Sequence, residues 1–299
     1  MPPVHGRRLR TAAVALPAAV AAAHIAPAAT WLPAVRLPLF PGLSGTGRRR
    51  HVALTFDDGP DPESTPRFLD ALDGLGVRAT FFVLGAHVVH HPALLRETVE
   101  RGHEVGVHGW THDRPWRPAF TRDAEAVARA VHVVHDLTGH RPRWYRPPYG
   151  ILTTGRWAAA RRAGLRTVLW SAWGKDWTAD ATPDSVRARV VADLRGGGTV
   201  LLHDSDRHSA PGCWQSALGA LPGIVEDCRS AGLTVGPLRE HGPSPDARSR
   251  TGRLPPGLTD GVVRRGWVGL TGPPPGSAGP GGRVRGPGPP APRAPGPSP

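Results

Sequence analysis

At 299 residues the chain is long enough for one large domain or two small ones. Its net charge of +13 is unevenly placed: residues 1–50 hold seven arginines and no acid, residues 241–299 hold eight arginines against two aspartates, and 51–240 is neutral. A neutral centre excludes bulk charge as a reason to expect nucleic-acid binding, and leaves the basic flanks to meet anionic lipid or wall polymer.

Arg7, Arg8 and Arg10 precede an alanine-rich stretch, Thr11 to Ala29, that ends in Ala26-Pro27-Ala28-Ala29. A basic start, an apolar middle and small residues before a cut make the plan of an export signal. Pro17, His24 and Pro27, with alanine in place of leucine, make the stretch a poor membrane span. Trp31 to Gly47 reads as a juxtamembrane or docking segment. Residues 1–47 are therefore expected to be an export signal or a membrane-associated segment, and the protein to be extracytoplasmic, secreted or membrane-anchored.

From 51 to 240 short apolar runs alternate with helical patterns. The runs are Val52–Phe56, Ala79–Leu84, Glu104–Val107, Trp144–Arg146, Thr167–Trp170, Thr199–Leu202 and Leu233–Val235. Between them the spacing predicts helices over Thr65–Leu75, Pro92–Arg101, Arg122–Leu137, Gly155–Ala163, Pro183–Leu194 and Ser216–Ser230, several ending near a capping glycine. Such alternation implies right-handed βα units on a parallel sheet. About 190 residues is short for a full eightfold barrel of about 250, so a distorted, reduced (β/α) barrel of about seven parallel strands is expected over 48–241, ahead of an open doubly wound sheet.

After Glu240 the composition turns to Pro, Gly and Arg, which cannot bury a core, and 242–299 is expected to be disordered. Gly266-Trp267-Val268 is a small apolar island within it. Cys213 and Cys228 sit 15 residues apart. On one helix that is roughly 22 Å, too far for an intrachain disulfide.

The chemistry collects just past the ends of the predicted strands, which in a barrel is one rim. Asp57-Asp58 with Gly59-Pro60 follows the first. His108-Gly109-Trp110-Thr111-His112 follows the third, Arg146-Pro147-Pro148-Tyr149-Gly150 the fourth, Asp176-Trp177 the fifth and His203-Asp204 the sixth. Alone, Asp-Asp-Gly-Pro reads as a capped loop. A spacing of four puts His108 and His112 on one helix face, and with a carboxylate they supply the three protein ligands of an open catalytic metal site. His87, His90 and His91 read as surface histidines. Asp204 and Asp206 read as carboxylates solvating a loop.

These segments resemble the polysaccharide deacetylase family, the NodB-homology domains of carbohydrate esterase family 4, over roughly His51 to Glu240. Its five motifs occur in order: Thr55-Phe56-Asp57-Asp58-Gly59-Pro60, His108 to His112, Arg146 to Gly150, Trp173-Gly174-Lys175-Asp176-Trp177, and Leu201-Leu202-His203. The resemblance implies the NodB-type distorted barrel and hydrolysis of N-acetyl groups on amino sugars of a polymer such as peptidoglycan or a chitin-like chain. It implies that Asp58, His108 and His112 bind a divalent metal, commonly zinc, with cobalt or nickel as alternatives, and that Asp57 is the general base. It further implies that Arg146 orients Asp57, that the Tyr149 backbone N–H holds the oxyanion, and that His203, paired with Asp176, protonates the leaving amine. Leu201 and Trp177 would hold the acetyl methyl. The expected partner is a carbohydrate polymer, not nucleic acid, with membrane or wall contact through the basic flanks.

Two residues depart from the pattern. Gly109 stands where a hydroxyl residue is usual, and Trp173 stands where the fourth motif has its first aspartate. If His203 relied on that missing carboxylate rather than on Asp176, the acid step would slow; otherwise Trp173 reshapes the rim. Alternative readings are an O-acetyl esterase, a deformylase of a lipid-linked sugar at the membrane, and a catalytically silent carbohydrate-binding protein.

Overall fold

A computed structural model of the chain describes residues 18–242. The basic start of the expected signal and the Pro/Gly/Arg-rich tail with its Trp267 island lie outside the described residues.

The apolar run at 51 becomes β1 (His51–Asp57), every residue of it buried. Alternation along a strand sends Val52, Leu54 and Phe56 to one face, where they meet Phe68, Leu69 and Leu72 of α3 (Thr65–Gly74). Full burial of each such side chain stabilises the fold by about 1.5–3 kcal/mol. Ala53, Thr55 and Asp57 therefore point to the other face, the inside of a curl.

The chain then builds β2 (Thr80–Leu84), α4 (Gly85–His90), α5 (Pro92–Glu100), β3 (Glu104–Gly109), α6 (Phe120–Thr138), β4 (Trp144–Tyr145), α7 (Thr154–Arg162) and β5 (Arg166–Thr167). It continues through β6 (Ala172–Trp173), α8 (Pro183–Asp193), β7 (Thr199–His203), α9 (Trp214–Ser230), β8 (Thr234–Gly236) and α10 (Leu238–His241). Every strand pair is parallel, in the order β5-β4-β3-β2-β1-β7-β6, and β8 pairs with the start of β1. Ala53 pairs with Thr199 on one side and Gly236 on the other, so β8 lies on the β2 side of β1. The result is an α/β fold, a curled half-barrel of parallel strands.

The expected fifth strand, Thr167–Trp170, is shorter than its apolar pattern suggests. β5 ends at Thr167, and after four intervening residues the chain starts β6 at the opposite edge of the sheet. Residues 168–171 thus cross the opening of the curl. Their backbone groups find partners outside the sheet ladder: Leu169 N–H donates to the Leu43 carbonyl at 2.6 Å, and Arg36 Nη2 donates to the Trp170 carbonyl at 2.9 Å. Periodicity cannot distinguish such a buried crossing from a buried strand.

Leu43 and Arg36 belong to the segment that precedes β1. A helix α1 over 18–25, a 3₁₀ turn Ala26–Trp31, α2 (Pro33–Leu39) and a second 3₁₀ turn Pro41–Ser44 pack against the open side of the barrel. Arg36 is buried and donates to Ser44 Oγ and to the carbonyls of Thr30, Trp31 and Trp170. Thr199 Oγ1 donates to the Gly45 carbonyl, and Gly47 N–H to the Gly197 carbonyl. Cys213 and Cys228 are both free and buried, at the start and near the end of α9.

Candidate active site

The strand ends converge on a cavity of about 560 Å³ that Asp57, Asp58, His108, His112, Tyr149 and His203 all line. A regular strand would turn neighbouring carboxylates to opposite faces. Asp58 escapes this through a left-handed backbone, φ +80, so that both aspartates face the cavity. Gly59 follows where the chain passes Asp204: a Cβ there would lie 2.3 Å from Asp204 Oδ2, so only glycine fits the approach.

Asp57 is almost wholly buried and sits against Arg146. Arg146 Nη1 donates to Asp57 Oδ1 at 2.7 Å and to Thr55 Oγ1 at 2.8 Å, and Nη2 donates to the Leu169 carbonyl at 2.8 Å. The guanidinium also lies 4.1 Å over the Phe82 ring. Burial pulls the Arg146 pKa down while the Asp57 charge pulls it back. This fork leaves Asp57 Oδ2 outside the pair with Arg146.

Asp58, His108 and His112 offer three ligand atoms within 4.8 Å of one another. His108 Nε2 and His112 Nε2 lie 3.3 and 3.4 Å from Asp58 Oδ1, a buried oxygen with no hydrogen-bond partner. His108 Nδ1 contacts the Arg146 carbonyl at 2.8 Å. A carbonyl only accepts, so Nδ1 carries the proton and Nε2 turns its lone pair on the site. Burial opposes ionisation of Asp58, but its surroundings of His108, His203 and His112 outweigh it, holding the carboxyl well below its usual range. Burial pushes His112 down to about 3 against the attraction of Asp58, keeping the ring neutral as a ligand must be. A carboxylate and two imidazoles around an orphaned buried oxygen fit a divalent cation.

The two histidines do not share a helix face as their spacing suggested. His108 is on β3 and His112 follows a bend, because Gly109 has φ +133 and turns the chain back. That conformation explains glycine at this position better than the loss of a hydroxyl partner does; a Cβ would also press on the Thr111 carbonyl at 3.2 Å.

Across the cavity His203 ends β7. Asp176, fully buried, accepts the His203 backbone N–H at 2.7 Å through Oδ2 and faces His203 Nδ1 at 3.1 Å through Oδ1. Burial works against a charged ring, yet Asp176, then Asp58 and Asp57, push His203 up to about 10. Asp176 is thus the carboxylate on His203, and Trp173 takes nothing from it. Trp177 packs edge-on to the His203 ring, centroids 5.5 Å apart, and with Leu201 lines the cavity. Trp173 also lines it, stacked on Trp170 at 5.8 Å and edge-on to Trp31 at 5.9 Å. Tyr149, in a left-handed conformation with φ +60, stands at the cleft edge with its ring 4.2 Å from that of His112.

Three residues near the site were not legible beforehand. His87 is half-buried, with Nδ1 3.0 Å from the Asp58 carbonyl, behind the carboxylate rather than on an open surface. His208 lines the cavity with its ring stacked on His112 at 4.4 Å. Asp204 is buried, not solvated: it accepts from Thr65 Oγ1 at 2.5 Å and from Gly59 N–H at 3.2 Å, tying β7 to the Asp57-Asp58 turn. Burial pushes its carboxyl up to about 7, against the Thr65 hydrogen bond and with the Asp58 charge. No local pattern marks any of the three, since each contact joins distant segments.

Residues 44–168 match the family model for polysaccharide deacetylases. The chain is 42% identical over 164 residues to a chitooligosaccharide deacetylase of Bradyrhizobium sp., covering 54% of this chain and 73% of that one. It is 36% identical over 161 residues to the peptidoglycan-N-acetylglucosamine deacetylase PgdA of Listeria monocytogenes, covering 54% of this chain. It spans only 34% of the length of that relative. Among solved structures, a peptidoglycan N-acetylglucosamine deacetylase in complex with a substituted benzamide superposes with TM-score 0.61 at 27% identity, covering 70% of this chain and 94% of that one.

Proposed function

The chain belongs to the polysaccharide deacetylase family, and from that premise we propose that it is a metal-dependent hydrolase removing N-acetyl groups from the amino sugars of a polysaccharide. The observation that carries the reading is the opposition, across one cavity, of Asp57 on Arg146 and His203 on Asp176, with Asp58, His108 and His112 converging beside them. Asp58, His108 and His112 would hold the cation, zinc in this reading with cobalt or nickel as substitutes; its chemistry there is Lewis acidity, which lowers the pKa of water and polarises an amide carbonyl.

The chain's own residues divide the remaining work. Arg146 fixes one oxygen of Asp57, and the other takes a proton from the attacking water as its oxygen bonds to the acetamide carbon. The Tyr149 backbone N–H donates to the carbonyl oxygen as negative charge develops. His203, with Nδ1 on Asp176, gives its Nε2 proton to the sugar nitrogen as the C–N bond breaks, leaving acetate and a free amine. Leu201 and Trp177 receive the acetyl methyl. The reading extends to peptidoglycan or a chitin-like chain as the substrate, and with it to a protein working outside the cytoplasm.

The test is acetate release by the full chain from N-acetylglucosamine oligomers, peptidoglycan and acetylxylan, with zinc, cobalt or chelator. Acetate from the amino-sugar substrates that chelation abolishes is the expected result. Acetate from acetylxylan alone would make the protein an esterase, and none from any substrate would refute the assignment.

A further inference from the structure

Between residues 18 and 40 the usual arrangement of a surface segment is inverted. The only buried residues there are the polar ones, His24, Thr30 and Arg36, and every exposed residue is apolar. Seven of the twelve exposed large apolar side chains among the described residues fall in this short stretch, including Leu32 at 50%, Leu39 at 67% and Phe40 at 44% exposure. The buried polar groups hold it against the barrel. His24 Nε2 contacts the Pro115 carbonyl at 3.0 Å, Thr154 Oγ1 donates to the Ala23 carbonyl at 2.8 Å, and Arg36 spends its donors on Ser44 and three carbonyls.

An apolar outer face of this extent is unfavourable in water and favourable against hydrocarbon. From it we infer that residues 18–40 form a docking surface for the face of an anionic lipid bilayer, retained as part of the folded protein. Charge selects this occupant. Arg7, Arg8 and Arg10 lead into the segment, the exposed Arg48 and Arg50 follow it, and residues 1–50 contain no acid. Arginines bracketing an apolar face meet anionic headgroups while the apolar side chains enter the acyl boundary. Among the described residues no single helix is long and apolar enough to span; the 18–31 stretch and α2 reach that length and apolarity only as a pair, bent by 90°. With its polar residues turned to the barrel, the pair is assigned to the bilayer surface.

The inner side of the same segment belongs to the cleft. Ala28 and Trp31 line the cavity, and the segment satisfies the backbone of the 168–171 crossing. Removing it as a cleaved leader would open the cavity wall; keeping it sets the cleft mouth at headgroup level. The surface does not depend on the reaction proposed above, and its test reads no turnover.

The experiment is co-sedimentation of the full chain with vesicles of phosphatidylcholine alone or mixed with phosphatidylglycerol, beside the triple variant Leu37→Glu, Leu39→Glu, Phe40→Glu. All three positions are exposed, so the variant is expected to keep its melting temperature and circular dichroism. The wild type should bind the anionic vesicles and the variant should bind at least about tenfold more weakly. No binding by the wild type, or equal binding by both, would overturn the inference, the latter by assigning attachment to the basic flanks alone. A solution dimer that the variant dissolves, without vesicle binding, would assign the face to a second copy and overturn it too. So would amino-terminal sequencing showing that the exported protein begins after residue 40.

Discussion

Replacing Asp176 with asparagine removes a charge and little volume, and so isolates what the carboxylate does for His203. Asp176 holds both the backbone N–H and the ring of His203, and with it the ring rises from 6.5 to about 10. That rise corresponds to about 5 kcal/mol between the charged and neutral ring. Without the carboxylate only the Asp58 and Asp57 charges oppose burial, so the ring falls from about 10 back toward its ordinary 6.5. At pH 8 a group of pKa about 6.5 is protonated in about one molecule in thirty, so kcat/KM there should fall by up to about thirtyfold, with smaller losses at lower pH. The assay is the pH–rate profile of acetate release at saturating metal. The alkaline limb should move down from near 10 by about two pH units or more.

Stability provides a second readout with a definite sign. His203 has a folded pKa above its unfolded value, so its contribution is full below 6.5 and is lost as pH rises through about 10. The gap in melting temperature between wild type and Asp176→Asn should therefore narrow across that window. An alkaline limb that stays in place while the rate drops uniformly would refute the reasoning, leaving Asp176 a purely structural group.

Asp57→Asn should remove turnover while the protein still binds one equivalent of metal by elemental analysis, whereas His112→Ala should lose the metal itself; the reverse pattern would exchange their roles. Arg146→Met leaves the Asp57 carboxylate buried without its guanidinium, which costs about 3–5 kcal/mol in urea unfolding. A loss under about 1 kcal/mol would mean that Asp57 finds another partner.

Much of the fold and the site could be read from local pattern. Every strand but β6, with β5 met only at Thr167, and the six longer helices follow from hydrophobic periodicity and capping glycines, because buried strands and amphipathic helices leave regular traces in composition. The residues of the proposed chemistry were also legible, since each sits in a short motif just past a strand, and parallel strands bring such ends to one rim. Position after a strand end therefore put Asp57, Asp58, His108, His112, Arg146 and His203 on one rim, although the helix face that spacing suggested for His108 and His112 does not form.

Tertiary structure decided what depends on contacts between distant segments. The sequence left open whether Asp176 or the residue at 173 would serve His203, and only the packing of β6 against β7 puts Asp176 there. His87, His208 and Asp204 lie in unremarkable local sequence and gain their positions from chain 29, 96 and 145 residues away, at Asp58, His112 and Gly59. The segment at 18–40 is the clearest case. Its composition resembles a leader, but which of its residues face the barrel is set by Arg36 and His24 finding carbonyls far along the chain. Periodicity records how often a side chain is buried, whereas long-range polar pairing is recorded in neither partner's neighbourhood.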